Sequence, residues 1–339
     1  MAALTITWTK VCDAAILQRS SHTLTLHDSK VYIFGGELLP RQPRDNTIHT
    51  IDLATASPSP TSLPLSTTSS NPVPRVGHAT ALLNSTIHLF SGRGGPSMSP
   101  LPDTTPGSLY TLSLTPEPLP SWTLVPPSAA SPSPSPRSYH AFTSNGTDTL
   151  YLHAGCPSSG RLSDFWSFHV PTATWTSLPP APGKPRGGTS IAFAQGRVYR
   201  FGGFDGTVEV GGAIDYFDVA AGRWETRTFA PDGKEGPGPR SVAALLPVVV
   251  GGRTVLLSLF GEGEASALGH EGAGTFWGDV WGWDVREEKW EMVEQSGEGP
   301  GARGWFAAGS EGQGGVVQGG LVEGNERKGD LWRFKIEAS

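Results

Sequence analysis

From Gly261 to Gly274 the chain reads GEGEASALGHEGAG, which places Glu262, Glu264, His270 and Glu271 on a stretch of glycines and small residues. Imidazole nitrogen and carboxylate oxygen together suit Fe(II), Zn or Mn, so this segment is a candidate metal-binding loop; the alternative for so acidic a stretch is a solvated surface. A second set is cationic. Arg19, Arg75, Arg137, Arg186, Arg240 and Arg303 recur at intervals of 56, 62, 49, 54 and 63 residues. Planar guanidinium forks grip sulfate, phosphate or carboxylate, so six of them at one place would bind a small anionic molecule. The other reading is that each only satisfies loop carbonyls. His22, His78 and His140 lie three residues after an arginine, where recurrence points to packing, and Trp305 with Phe306 offers an apolar wall.

The elements that hold these residues follow from the same periodicity. After each arginine come an alternating apolar stretch and a strand ending in small residues: VYIFGG at 31–36, IHLFSG at 87–92, LYLHAG at 150–155, VYRFGG at 198–203, LLSLFG at 256–261 and GVVQGG at 315–320. A third strand follows in each copy, as in DFWSFH at 164–169, and a fourth carries Trp122, Trp175, Trp224 or Trp290. Alternation closed by glycine reads as strand into turn, and four strands per unit make a propeller blade. The expected fold is therefore all-β, a six-bladed β-propeller of four antiparallel strands per blade in one domain over 1–339. The blades span about 19–70, 71–130, 131–183, 184–236, 237–299 and 300–339. The last copy stops after its third strand, and residues 5–11 form an isolated fourth strand, so the N-terminal strand is expected to complete blade 6 and close the ring.

Composition narrows the function classes. The chain has 339 residues with Gly 44 and Pro 30, which disfavours long helices, while Trp 11 and a hydrophobic fraction of 37% exclude a disordered chain. A net charge of −6, with no extended basic cluster, argues against nucleic-acid or anionic-membrane partners. No run of 18 apolar residues and no basic-then-apolar leader is present, and Cys12 and Cys156 are too few for a disulfide framework. A soluble, cytoplasmic monomer is the expectation. The constellations of a copper radical oxidase and of a serine hydrolase are both missing from the sequence.

The arginine, double-glycine, aromatic and tryptophan pattern resembles the kelch repeat. More narrowly, the segment FGEGEASALGHEGAGTFWGDVWGWD at 260–284 resembles the fifth-blade region of the nitrile-specifier and epithiospecifier branch of kelch proteins. That resemblance implies an Fe(II)-dependent lyase or rearrangement catalyst that turns glucosinolate-aglycone-like substrates into nitriles. It also implies iron ligands at Glu-x3-Asp-x3-His spacing, which falls on Glu262, Ser266 and His270. Serine stands where that spacing has aspartate, with Glu264 or Glu271 as the substitute carboxylate. The alternative is a non-enzymatic interaction module that takes a partner protein at the channel mouth. The loop from Gly261 to Asp279, 18 residues against about ten in the regular copies, is where function is expected.

Overall fold

The computed structural model describes residues 3–103, 105–115, 119–129, 132–269 and 272–338. Six four-stranded antiparallel units follow one another along the chain. Blade 4 shows the pattern: Ser190–Ala194, Arg197–Phe201, Ala213–Asp218 and Arg223–Thr228 pair in sequence order. The alternation of apolar residues puts one set on each face of a blade, and these faces bury against the next blade. Aromatic clusters such as Phe201, Phe229 and Trp290 fill the wedge between blades 4 and 5. The innermost strands of successive blades neighbour one another around a closed circle.

The ring closes through the N-terminal strand. Leu4–Asp13 runs antiparallel to Asp330–Ala338 in blade 6, a longer pairing than the 5–11 segment predicted. Trp8 takes the place of the fourth-strand tryptophan, and its indole stacks on Phe260 of blade 5 at 5.8 Å. A short fifth strand, Glu294–Ser296, adds in parallel to the outer edge of the N-terminal strand, which the sequence did not suggest. Blade 1, the copy without that tryptophan, has an outer strand of only two residues, Thr61–Ser62.

The double-glycine positions hold two consecutive residues at positive φ in every blade. The first position carries Ser91, Ala154 or Phe260 in three blades and still adopts φ of 47, 61 and 53°. The second is always glycine, and Gly261 shows why: its φ is +107°, and a Cβ there would lie 2.7 Å from the Cβ of Ala243 and 2.8 Å from the Ser241 carbonyl. We expect Gly261→Ala to cost about 2–4 kcal/mol, combining left-handed strain with overpacking, measurable as a lower urea midpoint. The amide of each second glycine also donates to the arginine carbonyl of the next blade, from Gly36 to Arg75 at 2.9 Å and finally from Gly320 back to Arg19 at 2.9 Å. The motif that marks the repeats in sequence is therefore the hinge by which each blade holds its neighbour.

Candidate functional site

The six repeat arginines are keystones of the blades. They are 0–7% exposed. Each donates to the carbonyl of the first double-glycine residue: Arg19 to Gly35 at 2.8 Å, Arg75 to Ser91 at 2.8 Å, Arg137 to Ala154 at 3.0 Å, Arg186 to Gly202 at 3.1 Å, Arg240 to Phe260 at 2.9 Å and Arg303 to Gly319 at 2.9 Å. Five of them also meet an aspartate, namely Asp45, Asp103, Asp164, Asp279 and Asp330. These donors are committed inside the blades, so the expected anion-binding ring is replaced by the carbonyl-satisfying role. The physical reason is that a guanidinium buried among carbonyls has no free edge for a ligand. A signal for this was present in the sequence. In the third strands that begin Asp-x-Trp, the indoles of Trp166, Trp281 and Trp332 donate to the same aspartates at 2.7–2.8 Å, fixing each carboxylate against its arginine.

Two concentric rings of residues form the mouth instead. The inner ring comprises the residues two places after each arginine: Ser21, Gly77, Tyr139, Gly188, Val242 and Trp305. Each amide donates to the carbonyl of the preceding member, and Ser21 completes the circle onto Trp305 at 2.9 Å. All six sit at φ between 46 and 63°. For the four that are not glycine this costs about 1–3 kcal/mol each, offset by the closed hydrogen-bonded circle. The outer ring holds the residue that follows each double glycine: Glu37, Arg93, Cys156, Phe204, Glu262 and Leu321. Each bridges the residue directly after a repeat arginine, as Glu262 does with Ser241 at 2.9 Å. This register is legible in the repeat, but sequence reasoning attended to the arginines and missed the residues that face the opening.

Below the inner ring, His22, His78 and His140 line the channel with Thr189, Ala243 and Phe306. Burial holds the His22 and His140 imidazoles down to about 3, with Arg19 and Arg137 adding to the effect, so both are neutral. Phe34 and Phe90 meet His78 and His140 edge-on, which supports the packing role expected for them.

A cavity of about 160 Å³ opens over blades 3 to 6. Its walls are Tyr139, Cys156 and Arg161 from blade 3, Gly187, Gly188 and Phe204 from blade 4, Ser241, Val242, Glu262, Ala265, Ser266 and Gly269 from blade 5, and Trp305 from blade 6. Trp305 thus stands where the apolar wall was expected. The fifth-blade insert is rooted by a short hairpin, Glu262–Glu264 against Thr275–Phe276, with Phe276 edge-on to Trp305. Trp277 donates to the Pro239 carbonyl at 2.8 Å and lies over Gly238 and Gly263, where any side chain would collide with the indole.

Glu262 is 4% exposed, and its Oε1 has no hydrogen-bond partner. Burial, then the charge of Glu209, pushes its carboxyl up to about 8, although the amides of Gly274 and Ser266 work in the other direction. Glu209 is pushed up to about 7, chiefly by burial. Ser266 lines the cavity, and its hydroxyl accepts from the Leu268 amide at 3.1 Å. Glu264 is exposed and lies off the cavity wall, so it is not placed to be the substitute carboxylate; regular alternation would put it on the same face as Glu262, and the register shift between the two in the hairpin breaks that alternation. His270 and Glu271 lie outside the described residues. Arg161, which the sequence reading did not single out, stacks on Phe204 with its guanidinium 4.8 Å from the ring centre. Its Nε has no hydrogen-bond partner, and among the described residues it forms no ion pair. Arg93 donates to the Ser138 hydroxyl at 2.8 Å near the same rim.

Comparison with known proteins agrees with this architecture. Residues 21–261 match the family model described as the KLHDC2/KLHL20/DRC7 Kelch-repeats domain. The N-(sulfonatooxy)prop-2-enimidothioate sulfolyase of Thlaspi arvense is 25% identical over 350 residues, which cover 95% of this chain and 93% of that protein. The solved structure of YjhT superposes with a TM-score of 0.71 at 14% identity, covering 95% of each chain, which speaks to fold alone. No helix among the described residues is long and apolar enough to cross a membrane.

Proposed function

The chain belongs to the kelch-repeat family, and from that membership we propose that it is a metal-dependent lyase acting at the channel mouth on a small, anionic, sulfur-containing substrate of the glucosinolate-aglycone kind. The observation that carries this reading is Glu262: a buried carboxylate with an orphaned oxygen, held on the insert that breaks the repeat, facing a cavity beside Arg161, which forms no ion pair among the described residues. The relative named as a sulfolyase, similar along nearly the whole chain, supports the choice of reaction class.

The orphaned oxygen of Glu262 fits a cation ligand, and His270 in the same insert is the imidazole donor that the sequence spacing pairs with it. Ferrous iron, when bound there, supplies a thiophilic Lewis acid for the substrate's sulfur. The chain does the rest. Arg161 takes the anionic sulfonate end through its free donors, the role first expected of the repeat arginines. Trp305, Val242 and Phe204 cover the apolar part of the substrate and exclude water, which strengthens the attraction between Arg161 and a departing sulfate. Tyr139, half-buried in the cavity wall and pushed up to about 12 by its desolvation, stays protonated as a neutral wall.

The test is to supply Fe(II) and an O-sulfonated thiohydroximate, released in situ from its thioglucoside, and to measure nitrile and sulfate. Nitrile formation above the spontaneous product distribution is expected, with Arg161→Ala lowering it through KM by at least tenfold. A product distribution unchanged by the protein removes the lyase reading. It would favour the interaction-module alternative, for which exposed Leu39, Val208 and Leu268 on the loops around the mouth are the contacts to test.

A further inference from the structure

Glu262 has a counterpart in blade 1. Glu37 occupies the same position after the double glycine and is equally buried, but Arg327 stands 3.5 Å from it and the Arg41 amide donates to it at 2.8 Å. The fold therefore buries an acid at this register by giving it a cationic neighbour. In blade 5 the neighbour is another acid. Glu209, 8% exposed on the blade 4 loop that bridges Phe204, the ring position next to Glu262, carries a charge that opposes that of Glu262. Ser241 touches both, bridging Glu262 through its backbone and approaching Glu209 with its hydroxyl.

Neither oxygen of Glu209 has a hydrogen-bond partner, nor does Oε1 of Glu262. Among the described residues no lysine, arginine or histidine nitrogen lies within 4 Å of either carboxylate. Arg161 partly offsets Glu209 from a distance, its guanidinium being stacked on Phe204. Two desolvated carboxylates without a counter-charge are costly to bury. Among the described residues none supplies that charge in direct contact, and the cavity at Glu262 gives access to one from solution.

We propose that Glu209 and Glu262 bind one divalent cation between blades 4 and 5, so that the metal site spans two blades and does not belong to the fifth-blade insert alone. This rests on the metal-binding reading of Glu262 given above. Paired carboxylate oxygens suit Mn(II) and Fe(II), and a cation between them would also tie the blade 4 loop to the insert.

The experiment is a titration of the full chain with Mn(II), following free ion by electron paramagnetic resonance, alongside thermal midpoints with and without the metal. The wild-type protein is expected to take up one equivalent and to melt higher when loaded. Glu209→Gln and Glu262→Gln should each weaken binding at least tenfold, and Glu209→Asp, which keeps the charge but shortens its reach, should fall between. The metal-free Gln variants are expected to melt at or above the wild-type midpoint at pH 8, which shows that they fold. If Glu209→Gln binds Mn(II) as wild type does while Glu262→Gln does not, the two-blade site is overturned and the reading at Glu262 stands. If the wild-type protein takes up no Mn(II) at millimolar concentration, both are overturned.

Discussion

Arg303→Ala is expected to lower stability by about 3–5 kcal/mol, because it leaves a buried aspartate without its cation. Arg303 donates to both oxygens of Asp330, at 2.8 and 3.0 Å, and to the carbonyls of Gly319 and Pro300. Both side chains are buried, and Trp332 donates to the same carboxylate at 2.8 Å. Burial works to raise the Asp330 carboxyl, yet the hydrogen bonds and charge of Arg303 hold it below the usual carboxylate range. For a group depressed in this way the stabilisation is complete above its unfolded value, near 4, and is lost as pH falls through its lower folded value. Urea midpoints at pH 7 and in acid check both parts: the difference between wild type and variant should be large at neutral pH and shrink in acid. Blade 6 is also the closing blade, so the loss should expose the pairing of Leu4–Asp13 with Asp330–Ala338 to faster amide exchange.

Glu262→Gln is expected to reduce metal-dependent turnover by at least a hundredfold while making the metal-free protein more stable. The carboxyl sits up at about 8 in the folded chain, against an ordinary value near 4.5. The folded state therefore holds a proton that the unfolded state releases between these values, so metal-free stability falls as pH rises from about 5 to 8. Up to a few kcal/mol is lost across that window, and Gln, which has no charge to desolvate, should flatten the dependence. Thermal midpoints of chelator-treated protein between pH 5 and 9 measure this directly. A variant as pH-dependent as wild type would place the effect elsewhere, with Glu209 the first alternative.

Much of the fold was legible because each blade solves the same packing problem with the same residue types. The arginine and the glycine at the second turn position recur in every blade, and the outer-strand tryptophan recurs in all but blade 1, where the outer strand is only Thr61–Ser62. The orphan strand near the N-terminus was legible for the same reason: a copy short of one strand and a strand short of a copy have one economical solution. The direction of the arginines was not legible from their own positions. It is set by carbonyls 16 to 20 residues on and by aspartates 26 to 39 residues on, whose approach depends on how the loops fold back. Only the Asp-x-Trp third strands hinted at it.

The sequence by itself determined the six-bladed ring, its seam and the insert where the repeat is broken, because periodicity and glycine chemistry are local and cumulative. What only the tertiary structure decided is which residues face the opening. Glu209 and Glu262 are 53 positions apart on different blades, and Arg161 lies on a third. Their convergence depends on the ring bringing corresponding loops to one mouth, and their charge states depend on how deeply that mouth is dried. Burial and proximity are properties of the closed ring, and no single repeat contains them.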